Sequence, residues 1–340
     1  MAAFSPTTES GSRLSTLTRM MNGYQVTQGI HVMARLKIAD LLHDGPRSPE
    51  AIADRCGADP ETLRRLLRAL ESVGLVRIDA DGEVAITELG DLLRTDHSQS
   101  AWPMAELVGD PLRWDAWEDL YGAVTTGTSS FTRVHGAPLF PYLAAHPDLA
   151  RRFDDVMTMS SRHSLGPILD ACDLGTSRLI VDVGGGQGAL LRAVLARYPQ
   201  ANGILYDLPQ VGESREMVGT PEAGRFTFMG GDMFTAIPAG ADTYLFRRVL
   251  HDWDDDACLT ILRNCRRAIA PGGRLLACEA IVPEGSGYAP EKWNDLHMLM
   301  MCGGKERTCD EFADLFAAAG FALVSVSPAG SVAVIEGTPV

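Results

Sequence analysis

The chain has 340 residues, 46% hydrophobic and 22% charged, with a formal net charge of −14. That length suits two domains, each able to bury its own core, and so acidic a chain repels phosphate backbones and anionic lipid, which excludes nucleic acid and membrane as expected partners and leaves small molecules. No apolar run approaches the ~20 residues of a membrane span, and Met1 to Ser12 lacks the basic region and apolar core of a signal peptide, so a cytoplasmic location is expected.

From Tyr24 to Leu42 the apolar residues Val26, Ile30, Val32, Met33, Leu36, Ile38, Leu41 and Leu42 recur at helical spacing, which predicts one mostly buried helix. Ser48-Pro49 and Asp59-Pro60 each pair a capping side chain with a proline at the first helical position, so two short helices start there. Leu75 to Ile78 and Glu83 to Ile86 then flank Asp81-Gly82 as a hairpin. Helix, helix, hairpin is a winged helix-turn-helix. Arg64, Arg65 and Arg68 would face DNA in such a module, but residues 1–100 hold 11 Lys+Arg against 14 Asp+Glu, the reverse of a basic footprint. A packing module whose over-apolar first helix completes its burial on a second subunit fits better, so a homodimer is expected.

Residues 101–165, rich in Trp, Met and Phe, read as helices placed between two domains, where pockets form. From Ser177 onward β-like runs (179–183, 204–207, 226–229, 243–246 and 275–279) alternate with helices such as Ala189 to Arg197 and Asp256 to Ile269. That alternation predicts an α/β fold, a Rossmann-like, doubly wound parallel sheet with ligands at the carboxyl ends of its strands. The resulting partition is 1–100 for a winged-helix dimerisation domain, 101–165 for a helical pocket segment and 166–340 for the catalytic domain. The seven cysteines include no CxxC pair and no His at metal-finger spacing, so free thiols and no metal are expected.

The first of these strands runs into Asp182-Val183-Gly184-Gly185-Gly186-Gln187-Gly188. Glycines there let backbone approach a ligand, although Gly184-x-Gly186-x-x-Ala189 also fits a loose dinucleotide fingerprint. Asp207 ends the second strand where a carboxylate can accept from ribose hydroxyls, and Asp232-Met233 follows the third, where carboxylate and thioether can meet an adenine. Asp182 would repel a pyrophosphate and attract the sulfonium and ammonium of S-adenosylmethionine. The fourth strand leads to His251, the fifth delivers Glu279 to the same edge, and Gly303 to Arg307 brings Glu306 in a turn. Two carboxylates converging on a neutral imidazole would make it a general base.

With these residues in place, the chain resembles the plant caffeic-acid-type O-methyltransferases and their bacterial relatives in antibiotic biosynthesis. The likeness rests on Leu179 to Gly188, Tyr206 to Pro209, Gly231 to Phe234, Leu250 to Trp253 and Gly303 to Thr308. It implies that His251 is the base, flanked by Glu279 and Glu306, and that S-adenosylmethionine, leaving as S-adenosylhomocysteine, meets Gly184, Asp207, Asp232, Met233 and Arg247, with Ser161 near its carboxylate. It also implies a small aromatic acceptor lined by Phe153, Met157 and Met298, and an N-terminal domain that pairs two subunits. Asp182 and Gly186 join the expected cofactor site on the reading of the glycine turn itself. The short Met300-Met301-Cys302 stretch departs from the plant pattern and argues against a plant phenylpropanoid substrate. Two other readings stand beside the O-methyltransferase: an N- or C-methyltransferase on an indole-like ring, and a winged-helix regulator with a methyltransferase-like sensor.

Overall fold

The computed structural model describes residues 12–212 and 224–340, apart from the side chains of Asp155 and of residues 158–163. It divides into two compact units, 1–115 and 116–340. Among the described residues no helix is long and apolar enough to cross a membrane.

The first unit opens with α1 (Arg13–Met21), which buries none of its residues, and α2 (Gly23–Arg35). The helix predicted to run to Leu42 instead breaks at Lys37, which takes a left-handed φ of 52° before α3 (Ile38–Leu42). The Lys37 N–H and the Trp102 indole both donate to the Ala34 carbonyl, so a local turn bond and one tertiary partner accompany a stop that no glycine or proline announced. Next come α4 (Pro49–Cys56), capped by Ser48, and α5 (Pro60–Ser72), capped by Asp59. The antiparallel pair β1 (Val76–Ile78) and β2 (Val84–Ile86) completes the predicted helix, helix, hairpin, with α6 (Glu88–Asp91) and α7 (Trp102–Val108) following. Met33, Ile38, Ile52, Leu67 and Val84, each fully buried, form the centre of this unit's core.

Helix α8 (Pro111–Glu118) leads to α9 (Leu120–Thr126), α10 (Ser130–His135), α11 (Leu139–Ala145) and the long α12 (Pro147–Ala171). The remainder alternates as predicted, except that β5 and β6 have no helix between them: β3 (Leu179–Val183), α13 (Ala189–Arg197), β4 (Asn202–Asp207), α14 (Pro209–Gly212), β5 (Phe226–Gly230), β6 (Thr243–Arg247), α15 (Asp255–Ala268) and β7 (Arg274–Glu279). It closes with α16 (Pro290–Cys302), α17 (Cys309–Ala318), β8 (Phe321–Ala329) and β9 (Val332–Pro339). The sheet order is β5-β4-β3-β6-β7-β9-β8. Its parallel part matches the expectation, and β9 departs from it by pairing antiparallel with both β7 and β8.

Alternate side chains of each central strand enter different cores, because successive Cβ atoms point to opposite faces. Val181, Val183, Tyr244, Phe246 and Ala277 pack with Ile261, Leu262 and Phe316 of α15 and α17. Ile180, Leu205, Leu245 and Leu276 pack with Leu191 and Val194 of α13 and Ile168 of α12. The sheet is thus covered on both faces, and the order of successive strands reverses between the parallel neighbours β3 and β6. The crevice at the carboxyl ends of those two strands is where such a sheet receives a ligand.

Candidate active site

Beyond β3 the chain turns through Gly184, Gly186 and Gly188 at φ of +65°, +56° and +73°. L side chains rarely adopt that region, and a Cβ on Gly184 would also come within 2.9 Å of Val249, so the turn and its closeness to the end of β6 both depend on glycine. A Cβ on Gly186 would meet nothing within 4 Å, which leaves bare backbone facing open space, as a ligand cradle requires. The Gly186 N–H donates to Asp207 Oδ2 at 2.8 Å and the Leu208 N–H to Oδ1 at 2.7 Å. Both bonds fix the carboxylate beside the turn and leave it lone pairs for hydroxyl donors.

Asp182 is fully buried behind Gly185, where a Cβ would lie 2.5 Å from its Oδ2. It therefore contributes charge from beneath the turn. Asp232 is exposed and accepts from the Phe234 N–H at 2.9 Å and the Thr235 hydroxyl at 3.2 Å, shaping the turn that presents Met233. Asn264 of α15, itself buried, donates to the Met233 and Phe234 carbonyls at 2.8 and 2.9 Å and pins that turn to the core. Arg247 donates to Ser164 Oγ on α12 at 2.9 Å; burial presses its pKa down, against the pull of Asp182. The open glycine backbone, the acceptors at Asp207 and Asp232 and the negative charge of Asp182 fit a nucleoside carrying a cationic group. Ser161, expected near that group, has its side chain outside the described residues.

Past β6, Arg248 takes φ +54°, a left-handed conformation that costs an arginine on the order of 1 kcal/mol. A 3-10 turn, Leu250–Asp252, then carries His251 into a buried position. His251 Nδ1 lies 2.8 Å from Glu306 Oε1. With the carboxylate ionised, Nδ1 must hold the hydrogen and donate it, which leaves Nε2 as the lone-pair nitrogen. Asp252 Oδ1 stands 3.5 Å from Nε2, too long for a good hydrogen bond and close enough to favour an imidazolium.

Glu279 stands close to the imidazole, but its hydrogen bonds go to the main chain. Its Oε1 accepts the Val249 and Leu250 N–H groups at 2.9 and 2.8 Å, so it holds the turn, while its buried Oε2 has no hydrogen-bond partner among the described residues. One ligand-type atom from each of His251, Glu279 and Glu306 nonetheless lies within 4.8 Å of the others. Burial alone would press the His251 pKa down, but the charges of Asp252, Glu306 and Glu279 outweigh it, and the net direction is up, with Arg248 pulling the other way. Burial raises the Glu279 and Asp252 carboxyls. Glu306 also resists burial, yet its bond to His251 and the nearby positive charges hold it below the usual range.

Asp252 stands next to His251 in the chain, and that adjacency was the signal available for it. Asn294 of α16, which donates to Glu306 Oε1, offered no such signal. Arg307 stands next to Glu306 in the chain, but its role was not read from it: fully buried, it ties the His251 turn down through the Leu250 and Trp253 carbonyls, both at 3.0 Å, and through Asp255. Of the expected pocket residues, Phe153 and Met157 are half-buried and share a face of α12, one turn apart. Met298 is buried on α16.

A family model described as the O-methyltransferase domain matches residues 117–322, and one described as the O-methyltransferase dimerisation domain matches residues 18–96. The chain is 40% identical over 329 residues to the phenazine O-methyltransferase PhzM of Lysobacter antibioticus, covering 96% of each chain. It is 38% identical to the 3-amino-4-hydroxybenzoate 4-O-methyltransferase of Streptomyces cremeus, covering 92% of this chain and 86% of that one. Among solved structures, the O-methyltransferase NcsB1 from neocarzinostatin biosynthesis, crystallised with S-adenosylmethionine and 2-hydroxy-5-methyl naphthoic acid, superposes with a TM-score of 0.81 at 33% identity, covering 93% of this chain and 96% of that one. On the strength of the glycine turn, the buried His251–Glu306 pair and these matches along nearly its whole length, the chain belongs to the O-methyltransferase family, as an S-adenosylmethionine-dependent enzyme that carries the family's dimerisation domain.

Proposed function

We propose that this enzyme methylates a hydroxyl on a small aromatic secondary metabolite in the cytoplasm, with His251 as the general base. The observation that carries the reading is the buried 2.8 Å contact between His251 Nδ1 and Glu306, which orients the imidazole and leaves Nε2 to receive a proton. S-adenosylmethionine, when bound, supplies a methyl group already activated on a sulfonium. The chain's residues then have two tasks: removing the hydroxyl proton and holding the acceptor oxygen in line.

A free phenol with pKa about 10 and a histidine of about 6.5 leave a proton-transfer gap of roughly 5 kcal/mol. The carboxylates around His251 raise its pKa and narrow that gap, and Glu306 stabilises the imidazolium once it forms. Gly184, Gly186, Asp207, Asp232 and Met233 hold the nucleoside, Asp182 and Arg247 set the charge at its far end, and Phe153, Met157 and Met298 line the acceptor's apolar face. Alignment in a closed site supplies much of the remaining rate. Acceptors that are hydroxylated and carry a fused or substituted aromatic ring agree with the names of the relatives. A base is needed for a hydroxyl and much less for a ring nitrogen, which favours oxygen over the nitrogen alternative.

The test is incubation with methyl-labelled S-adenosylmethionine and a panel of hydroxyphenazines, hydroxybenzoates and hydroxynaphthoates, followed by mass spectrometry and NMR of the product. Label on an aromatic oxygen is expected. Label on nitrogen or carbon, or no labelled product from the whole panel, would contradict the reading.

A further inference from the structure

We propose that Arg248 is a positioning residue for this reaction: its guanidinium, held by left-handed backbone at the end of β6, offsets the carboxylates gathered around His251 and keeps the imidazole able to stand neutral near neutral pH. The inference rests on the reading of His251 as the base and adds to it the group that sets the base's working range.

Three facts point the same way. Arg248 Nη1 lies 3.7 Å from Glu306 Oε1, with the Arg248 side chain 37% exposed and the glutamate side chain 0%. Its backbone N–H donates to the Cys278 carbonyl at 3.1 Å, which locks the residue against β7 in a conformation that glycine would occupy without strain. Arg248 and Lys37 are the described non-glycine residues with positive φ. Strain retained beside a reactive group is the usual mark of a side chain needed at that spot.

The surroundings of His251 are acidic on nearly every side. Asp252 comes from its own turn, Glu279 from β7 and Glu306 from the loop before α17, with Asn294 and Asp295 of α16 bound to Glu306 through its Oε1 and its backbone N–H. The Cys302 thiol touches Asp252, and the Arg307 guanidinium is committed to Asp255 and to main-chain carbonyls. Without an opposing charge these carboxylates would hold His251 protonated, and a protonated imidazole accepts nothing. Arg247 couples to Asp182 and Glu279, and Lys305 pairs with Asp255 and Glu311; among the described residues Arg248 is the cation whose influence reaches His251, Asp252, Glu279 and Glu306 alike.

The experiment is a pH titration of protein labelled with 13C-histidine and saturated with S-adenosylhomocysteine, following the His251 Cε1–H resonance, which is assigned by its loss in His251→Ala. Arg248→Gln and Arg248→Gly are expected to raise the His251 midpoint by roughly one pH unit, while Arg248→Lys keeps it near the parent value. Glycine suits the left-handed backbone and keeps the test standing if the glutamine variant does not fold. An unchanged midpoint in Arg248→Gln and Arg248→Gly would overturn the proposal, as would an equal rise in Arg248→Lys or a parent His251 that stays protonated through pH 9. If instead the midpoints move as expected but His251→Ala still turns over at the parent rate, the reading of the base fails and the charge relation stands.

Discussion

Two side chains that accept or donate to main chain, Glu279 and Arg307, hold His251 in place. Replacing Glu279 with Ala strands the buried Val249 and Leu250 N–H groups, each worth about 1–3 kcal/mol when unsatisfied. A loss of about 2–4 kcal/mol is expected in urea denaturation, and Glu279→Gln, which keeps an acceptor, should lose clearly less. The His251–Glu306 pair gives a second expectation. Because the Glu306 carboxyl is held down and His251 is held up, the stability from Glu306 is present above its unfolded pKa of about 4.3 and lost as pH falls through its folded value. The stability from His251 is present below about 6.5 and lost as pH rises through its raised value. The stability gap between parent and His251→Gln should therefore be widest between about pH 4.5 and 6.5 and shrink above that range, while turnover rises with pH as the imidazole loses its proton. A gap that widens from pH 6.5 to 8.5 in pH-dependent urea melts would contradict this.

At the level of elements, the loop 303–307 must lie directly on the 3-10 turn. The Lys305 N–H donates to the His251 carbonyl at 2.9 Å, and a Cβ on Gly304 would fall 2.1 Å from that same oxygen. Gly304→Ala must push the turn or the loop away, so turnover is expected to drop at least ~10-fold by displacement of the base. Binding of S-adenosylhomocysteine, which the proposed site places at the ends of β3, β4 and β5, should change little in calorimetry. This division also explains what could be read in advance. The glycine turn and Asp207 were legible because they are local: a strand, a turn that only glycine can make, and a carboxylate at the next strand's end. The alternation of strands and helices was legible for the same reason, since hydrophobic periodicity acts within a segment. The break at Lys37 was not: no glycine or proline announces it, and the Trp102 indole that joins its own N–H on the Ala34 carbonyl arrives from 68 residues away. The antiparallel return of β9 and the true partners of Glu279 were hidden likewise, because both depend on which segments meet across the fold.

For the whole molecule, α1 buries none of its residues, and Leu14, Leu17, Met20 and Met21 are each 47–70% exposed. In a chain bearing a dimerisation domain over 18–96, this apolar face beside its start is expected to be covered by a second copy. Leu17→Glu combined with Met21→Glu is expected to shift the molar mass in size-exclusion light scattering from dimer toward monomer; a mass unchanged at micromolar concentration would exclude this face from the interface. On the function proposed above, the cofactor site and the base lie at separate strand ends of one sheet and can be lost separately. The most direct measurement pairs calorimetric binding of S-adenosylhomocysteine with single-turnover methyl transfer in His251→Ala. Binding within a few-fold of the parent and methyl transfer slowed at least ~100-fold is the expected result; methyl transfer at the parent rate would contradict the account.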